Sequence, residues 1–153
     1  MRIAIVAPSC TLKREAADAV TAIAAARGDC ALHIHPQCFL ADGHFAGPDS
    51  ARLAALREVM ADPAIDAVWF ARGGYGSNRI AEAAAHDLPA AAHSKTYLGY
   101  SDAGFLLAAF QRAGLAVAHG PMPSDVLRDG GEAAVTRALD WIVQRSDSSL
   151  EPG

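Results

Sequence analysis

Short, largely apolar runs alternate with alanine-rich stretches of helical spacing from one end of the chain to the other. That alternation constrains the fold more than any single motif. The runs Arg2 to Ala7, Ala31 to His35, Ala67 to Phe70, Thr96 to Leu98 and Ala116 to Ala118 read as strands. Continuous apolar strands, as opposed to strands that alternate in and out, belong to a parallel sheet covered by helices on both faces. Between them, Ala16, Ala19, Val20, Ile23 and Ala24 form a helical stripe closed by Gly28. Leu53, Leu56, Val59 and Met60 form a second stripe, with Asp49 or Ser50 as the expected cap and Asp62-Pro63 as the stop. Further helices are expected through Ile80 and Ala83, from Phe105 to Phe110 with Gly114 as the stop, and from Glu132 to Val143. The expected fold is therefore α/β, a parallel sheet of about five strands with helices on both faces. It occupies residues 1–145, and the polar stretch 146–153 reads as a linker.

At 153 residues the chain is one domain. Its net charge of -4 and scattered basic residues argue against a nucleic-acid surface. No run approaches the ~18 apolar residues of a membrane span. The amino terminus carries one basic residue and too short an apolar segment for a signal peptide. Cys10, Cys30 and Cys38 are odd in number and lack C-x-x-C spacing, so neither a disulfide framework nor a zinc site is indicated. A reducing cytoplasm fits this usage.

In parallel sheets of this kind, chemistry collects at the carboxyl ends of the strands. Four marked segments end strands: Pro8 to Thr11, Arg72 to Arg79, Ser101-Asp102 and His119-Gly120-Pro121. In Gly99-Tyr100-Ser101-Asp102 an extended segment turns into a helix, which would hold a serine out above the sheet beside the first helical N–H groups. Ser101 is the candidate nucleophile. A plain helix cap explains Ser and Asp at this place as well, and Ala103 stands where the usual elbow has glycine. Gly73 and Gly74 would let backbone N–H groups face an anion or a developing oxyanion. Arg72 and Arg79 are candidates for binding a carboxylate. Neither Walker spacing nor G-x-G-x-x-G is present. Cys10, between a strand and a helix, is a rival nucleophile. His119 is the histidine that ends a strand on the rim.

Ala7-Pro8-Ser9, Arg72-Gly73-Gly74-Tyr75-Gly76, Gly99-Tyr100-Ser101-Asp102 and His119-Gly120-Pro121 occur together in an order and spacing that resembles the amino-terminal domain of the LD-carboxypeptidase family. These are serine peptidases that include murein tetrapeptide carboxypeptidases and the microcin C immunity proteins. The resemblance implies a three-layer arrangement, flavodoxin-like or class I glutamine amidotransferase-like, with Ser101 as nucleophile and the backbone N–H groups of Gly74 and Asp102 as the oxyanion hole. Gly73, Tyr75 and Arg79 would contact the substrate, a small peptide with a free carboxylate. No metal or cofactor is implied, and a homodimer is. The Glu and His of the triad would come from a second domain beyond Gly153, so this chain alone should be nearly inactive. The sequence departs from the family pattern at Ala103-Gly104, where a bulky aliphatic residue and Thr are common, and at Cys10, where Gly is frequent. Two other readings stand beside this one. The first is an esterase with an in-domain Ser101/His119 pair. The second is a non-enzymatic module that holds an anionic ligand at the Gly73 to Gly76 loop.

Overall fold

The computed structural model describes residues 1–144, so the expected linker lies outside the described residues. Strand and helix alternate as β1 (Arg2–Val6), α1 (Arg14–Arg27), β2 (Ala31–Ile34), α2 (Asp49–Ala61), β3 (Ala67–Phe70), α3 (Ser77–Ala85), β4 (Thr96–Gly99), α4 (Gly104–Arg112), β5 (Ala116–His119) and α5 (Gly131–Gln144). The five strands form one sheet in the order β2-β1-β3-β4-β5, and every pairing is parallel. Ala4 lies opposite Val68, Val68 opposite Tyr97, and Gly99 opposite His119. The expected parallel sheet of about five strands is thus present, and its order is that of a doubly wound sheet with the switch point between β1 and β3.

The apolar character of the strands follows from burial on both faces. Ile3, Ile5, Trp69 and Leu98 pack with Val20 of α1 and Val135, Leu139 and Ile142 of α5. Their chain neighbours Ala4, Val6, Val68, Phe70 and Tyr97 point the other way, into Leu56 and Met60 of α2, Ile80 of α3, and Leu106 and Phe110 of α4. Each such large side chain contributes about 1.5–3 kcal/mol when fully buried. The Trp69 indole also donates to the Pro121 carbonyl at 2.8 Å, which anchors the segment after β5 to the centre of the sheet.

At the start of α2 the structure corrects the expected cap. Pro48 holds the N-cap position without a side-chain bond, and Asp49 is already helical. The Asp49 carboxylate turns instead to two guanidinium groups, those of Arg52 and Arg79.

Candidate active site

The turn after β4 has the geometry expected of an exposed serine. Tyr100 is extended, with φ -155°, and Ser101 then enters the left-handed region at φ 58°. A non-glycine residue there costs about 1–2 kcal/mol. Ser101 is exposed, whereas Asp102 and Ala103 after it are buried. One short 3-10 turn, Ser101–Ala103, then feeds α4. The small residues on either side make this turn possible. A Cβ at Gly99 would lie 3.2 Å from that of Ala103 and 3.0 Å from the Phe70 ring, so the missing side chain at Gly99 accommodates Ala103.

The Gly73–Gly76 loop after β3 closes on this turn. A Cβ at Gly73 would stand 2.9 Å from Ser101 Oγ and 3.5 Å from the Asp102 nitrogen. Gly74 has φ 114°, and a side chain there would collide with Cys10 Sγ from the β1 loop. Among the described residues, the N–H groups of Gly74 and Asp102 donate to no hydrogen-bond acceptor. The structure thus brings Ser101, Gly73, Gly74, Asp102 and Cys10 together on one rim.

What holds the three loops in register is the Asp102 side chain, a role the sequence did not disclose. Its carboxylate accepts from Ser9 Oγ at 2.5 Å and from the Ser77 N–H at 2.9 Å. Ser77 Oγ in turn donates to the Asp102 carbonyl. All three residues are buried. The helix α3, whose N-cap Gly76 offers no side chain, therefore takes its cap from the β4 turn, with a negative charge at the positive end of its dipole.

Arg52 is the second functional support that sequence reasoning missed. It lies on the inward face of α2 and is only 1% exposed. Its guanidinium donates to the carbonyls of Pro8 at 2.5 Å, Gly76 at 2.9 Å and Gly47 at 3.2 Å, and pairs with Asp49. The available signal was spacing, since Arg52 falls four residues before Leu56 on the apolar stripe.

The remaining candidates surround this centre. Tyr75 is 47% exposed and clusters with His44 and Phe45 at ring-centroid distances of 5.9 and 5.8 Å. Arg79 is exposed and paired with Asp49 at 2.8 Å. That pairing is the main reason the Asp49 carboxyl is held below the usual carboxylate range, with Arg52 adding to it. Ser101 opens onto a cleft between α3 and α4 lined by Asn78, Glu82 and Phe105. His119 instead lines a separate cavity of about 320 Å³ with Tyr100, Asp125 and Arg128. Among the described residues no hydrogen bond joins Ser101 to His119. In that second cavity the Tyr100 hydroxyl donates to Asp125 at 3.0 Å and accepts from Arg128 at 2.8 Å. Burial chiefly, and then Asp125, raise the Tyr100 phenol above its ordinary value. Among the described residues no group of three or more His, Cys, Asp and Glu side chains is arranged to hold a metal ion. No described helix is long and apolar enough to cross a membrane.

Comparison with known proteins matches this chain to one family. A Bacillus subtilis protein named as a probable murein peptide carboxypeptidase is 45% identical over 83 residues, which are 54% of this chain and 26% of that protein. The murein tetrapeptide carboxypeptidase of Pseudomonas aeruginosa is 38% identical over 79 residues, covering 52% of this chain and 26% of the relative. The crystal structure of muramoyltetrapeptide carboxypeptidase from Oxalobacter formigenes superposes with a TM-score of 0.76 at 26% identity, over 92% of this chain and 47% of that one. The matched part is thus about a quarter of the length of these curated relatives. A family model described as the LD-carboxypeptidase N-terminal domain matches residues 3–120, and the chain belongs to that family.

Proposed function

We propose that this domain carries the nucleophile of a serine-type LD-carboxypeptidase, and that Ser101 is that nucleophile. The observation that supports it most is the conjunction at the β4 turn: an exposed serine at φ 58° with Gly73 packed against its hydroxyl. A strained, exposed serine between a strand and a helix is the arrangement of a nucleophile elbow. Ser101 Oγ attacks the carbonyl of a peptide amide next to a terminal carboxylate, and a histidine takes its proton. The N–H groups of Gly74 and Asp102, uncommitted among the described residues, donate to the oxyanion that forms. Collapse of that intermediate, with the histidine passing its proton to the leaving nitrogen, expels the amine and leaves an acyl group on Ser101, which water then hydrolyses. Gly73, Tyr75 and Arg79 border the bound peptide, with the Tyr75 cluster as an apolar wall.

The histidine and its orienting glutamate are assigned to a second domain outside this chain. His119 does not take the role of base in this reading, because it opens onto a different cavity from Ser101. By the names of the relatives the substrate class is a murein stem peptide, and the assignment includes peptidoglycan recycling in the cytoplasm by a homodimer. This chain alone is expected to be nearly inactive, since loss of the base from a triad costs on the order of 10⁶ in kcat. The test compares this chain with a longer protein carrying the second domain on an LD-tetrapeptide. Equal turnover by the two would remove the base from the second domain.

A further inference from the structure

The chain carries a net charge of -4, yet one cleft at the carboxyl end of the sheet is lined by three cations. Lys13, Ala16, Arg72, Ser124, Leu127 and Arg128 enclose about 150 Å³, and no carboxylate belongs to the lining. Among the described residues neither Lys13 nor Arg72 has a carboxylate partner; Arg72 donates to the Thr11 carbonyl at 3.3 Å. Arg128 is partly compensated, by Asp125 at 3.2 Å. Lys13 immediately precedes the 14-residue helix α1, whose positive end adds to the same field and is offset by one carboxylate in its first turn, Glu15, which does not line the cleft. Like charges gathered around one cleft repel one another, and an oxyanion between them turns the repulsion into charge-assisted hydrogen bonds. Arg72 is joined to Gly73, the residue packed against Ser101.

We infer that this cleft is an anion subsite, built by Lys13 and Arg72 with Arg128 at its edge, for a carboxylate or phosphate group of the ligand. It deepens the proposed function by naming a second point of recognition, and it rests on that reading only for the peptide as ligand. The site binds through the guanidinium and ammonium groups, with the Ser124 side chain at the cleft wall. Ser101 takes no part in it.

The test is titration of the isotopically labelled 153-residue chain, followed by NMR, with three probes. These are inorganic phosphate, a murein tetrapeptide, and the same peptide with its carboxylates amidated. Saturable shifts at Thr11 to Arg14 and at Arg72 are expected, weakened about tenfold by Lys13→Gln or by Arg72→Gln. Both side chains are exposed, so the fold should tolerate either change. Tighter binding of the free-carboxylate peptide than of its amidated form identifies a peptide carboxylate as the ligand. Saturation by phosphate alone identifies a phosphate-bearing one. No saturable shift with any probe, or equal affinity in the Lys13→Gln/Arg72→Gln double variant, overturns the subsite. Inorganic phosphate makes no use of the Ser101 nucleophile, so saturable shifts with that probe are read independently of whether Ser101 is the nucleophile.

Discussion

Gly73 packs so closely against Ser101 that a Cβ in its place would lie 2.9 Å from the serine Oγ and 3.0 Å from its Cβ. Neither partner can yield freely. Ser101 is fixed in a left-handed conformation by the turn, and Gly73 is buried at the start of the glycine loop, three residues after the end of β3. Gly73→Ala should therefore displace the hydroxyl without unfolding the domain. A misplacement of about 1 Å costs on the order of 10²-fold in rate. A loss of that order in kcat, with an unchanged circular dichroism spectrum, is expected in a longer protein carrying the second domain. Full activity would show that the contact does not position Ser101.

The conformation of Ser101 has a cost of its own. Replacing it by glycine, which adopts positive φ freely, relieves about 1–2 kcal/mol, offset in part by the greater freedom of glycine in the unfolded chain. Urea denaturation of this chain is expected to place Ser101→Gly above Ser101→Ala in stability. The reverse order would mean that the backbone at residue 101 is not strained.

The Asp102 carboxylate should be structural as well as local to the site. Asp102→Ala leaves the Ser77 N–H and Ser9 Oγ buried without this acceptor, which costs about 3 kcal/mol. Arg52→Met strips the Pro8, Gly76 and Gly47 carbonyls of their shared donor, and a loss of similar size, about 3–5 kcal/mol, is expected. Both are read from the denaturation midpoint, and a shift near zero for either would deny it a part in holding the loops.

These two supports also mark where the sequence stops being informative. The strand and helix pattern was legible because the apolar runs of the three central strands are buried on both faces of the sheet, while those at its two edges are only partly covered. The meeting of Ser101 with Gly73 followed from both lying at strand ends. Strand order was not legible, however, and only the adjacency of β1, β3 and β4 carries Ser9, Ser77 and Asp102 to one point. Asp102 thus read as a cap for its own helix, when its side chain caps the neighbouring one. Arg52 was hidden for a related reason: its partners are backbone carbonyls on three separate segments, which leave no mark in residue identity. Asp49 read as a cap because its partners are the buried Arg52 of the same helix and Arg79, which lies 30 residues away.

Asp49 supplies a pH test. Its carboxyl is held below the usual range by Arg79 and Arg52, so its contribution to stability is fully present above about pH 4, the unfolded value. It is lost as pH falls through the lower, folded value. In Asp49→Asn the fall of stability on acidification should be shallower than in the parent chain. Superimposable acid limbs would show that the ion pair is screened out in solution.

The assignment of Ser101 is tested most directly by phosphonylation. A longer protein carrying the second domain would be treated with a fluorophosphonate and the modified residue located by mass spectrometry. Modification at Ser101, abolished in Ser101→Ala together with tetrapeptide hydrolysis, is the expected result. Hydrolysis that survives Ser101→Ala, or a modified residue elsewhere such as Ser9, would contradict it.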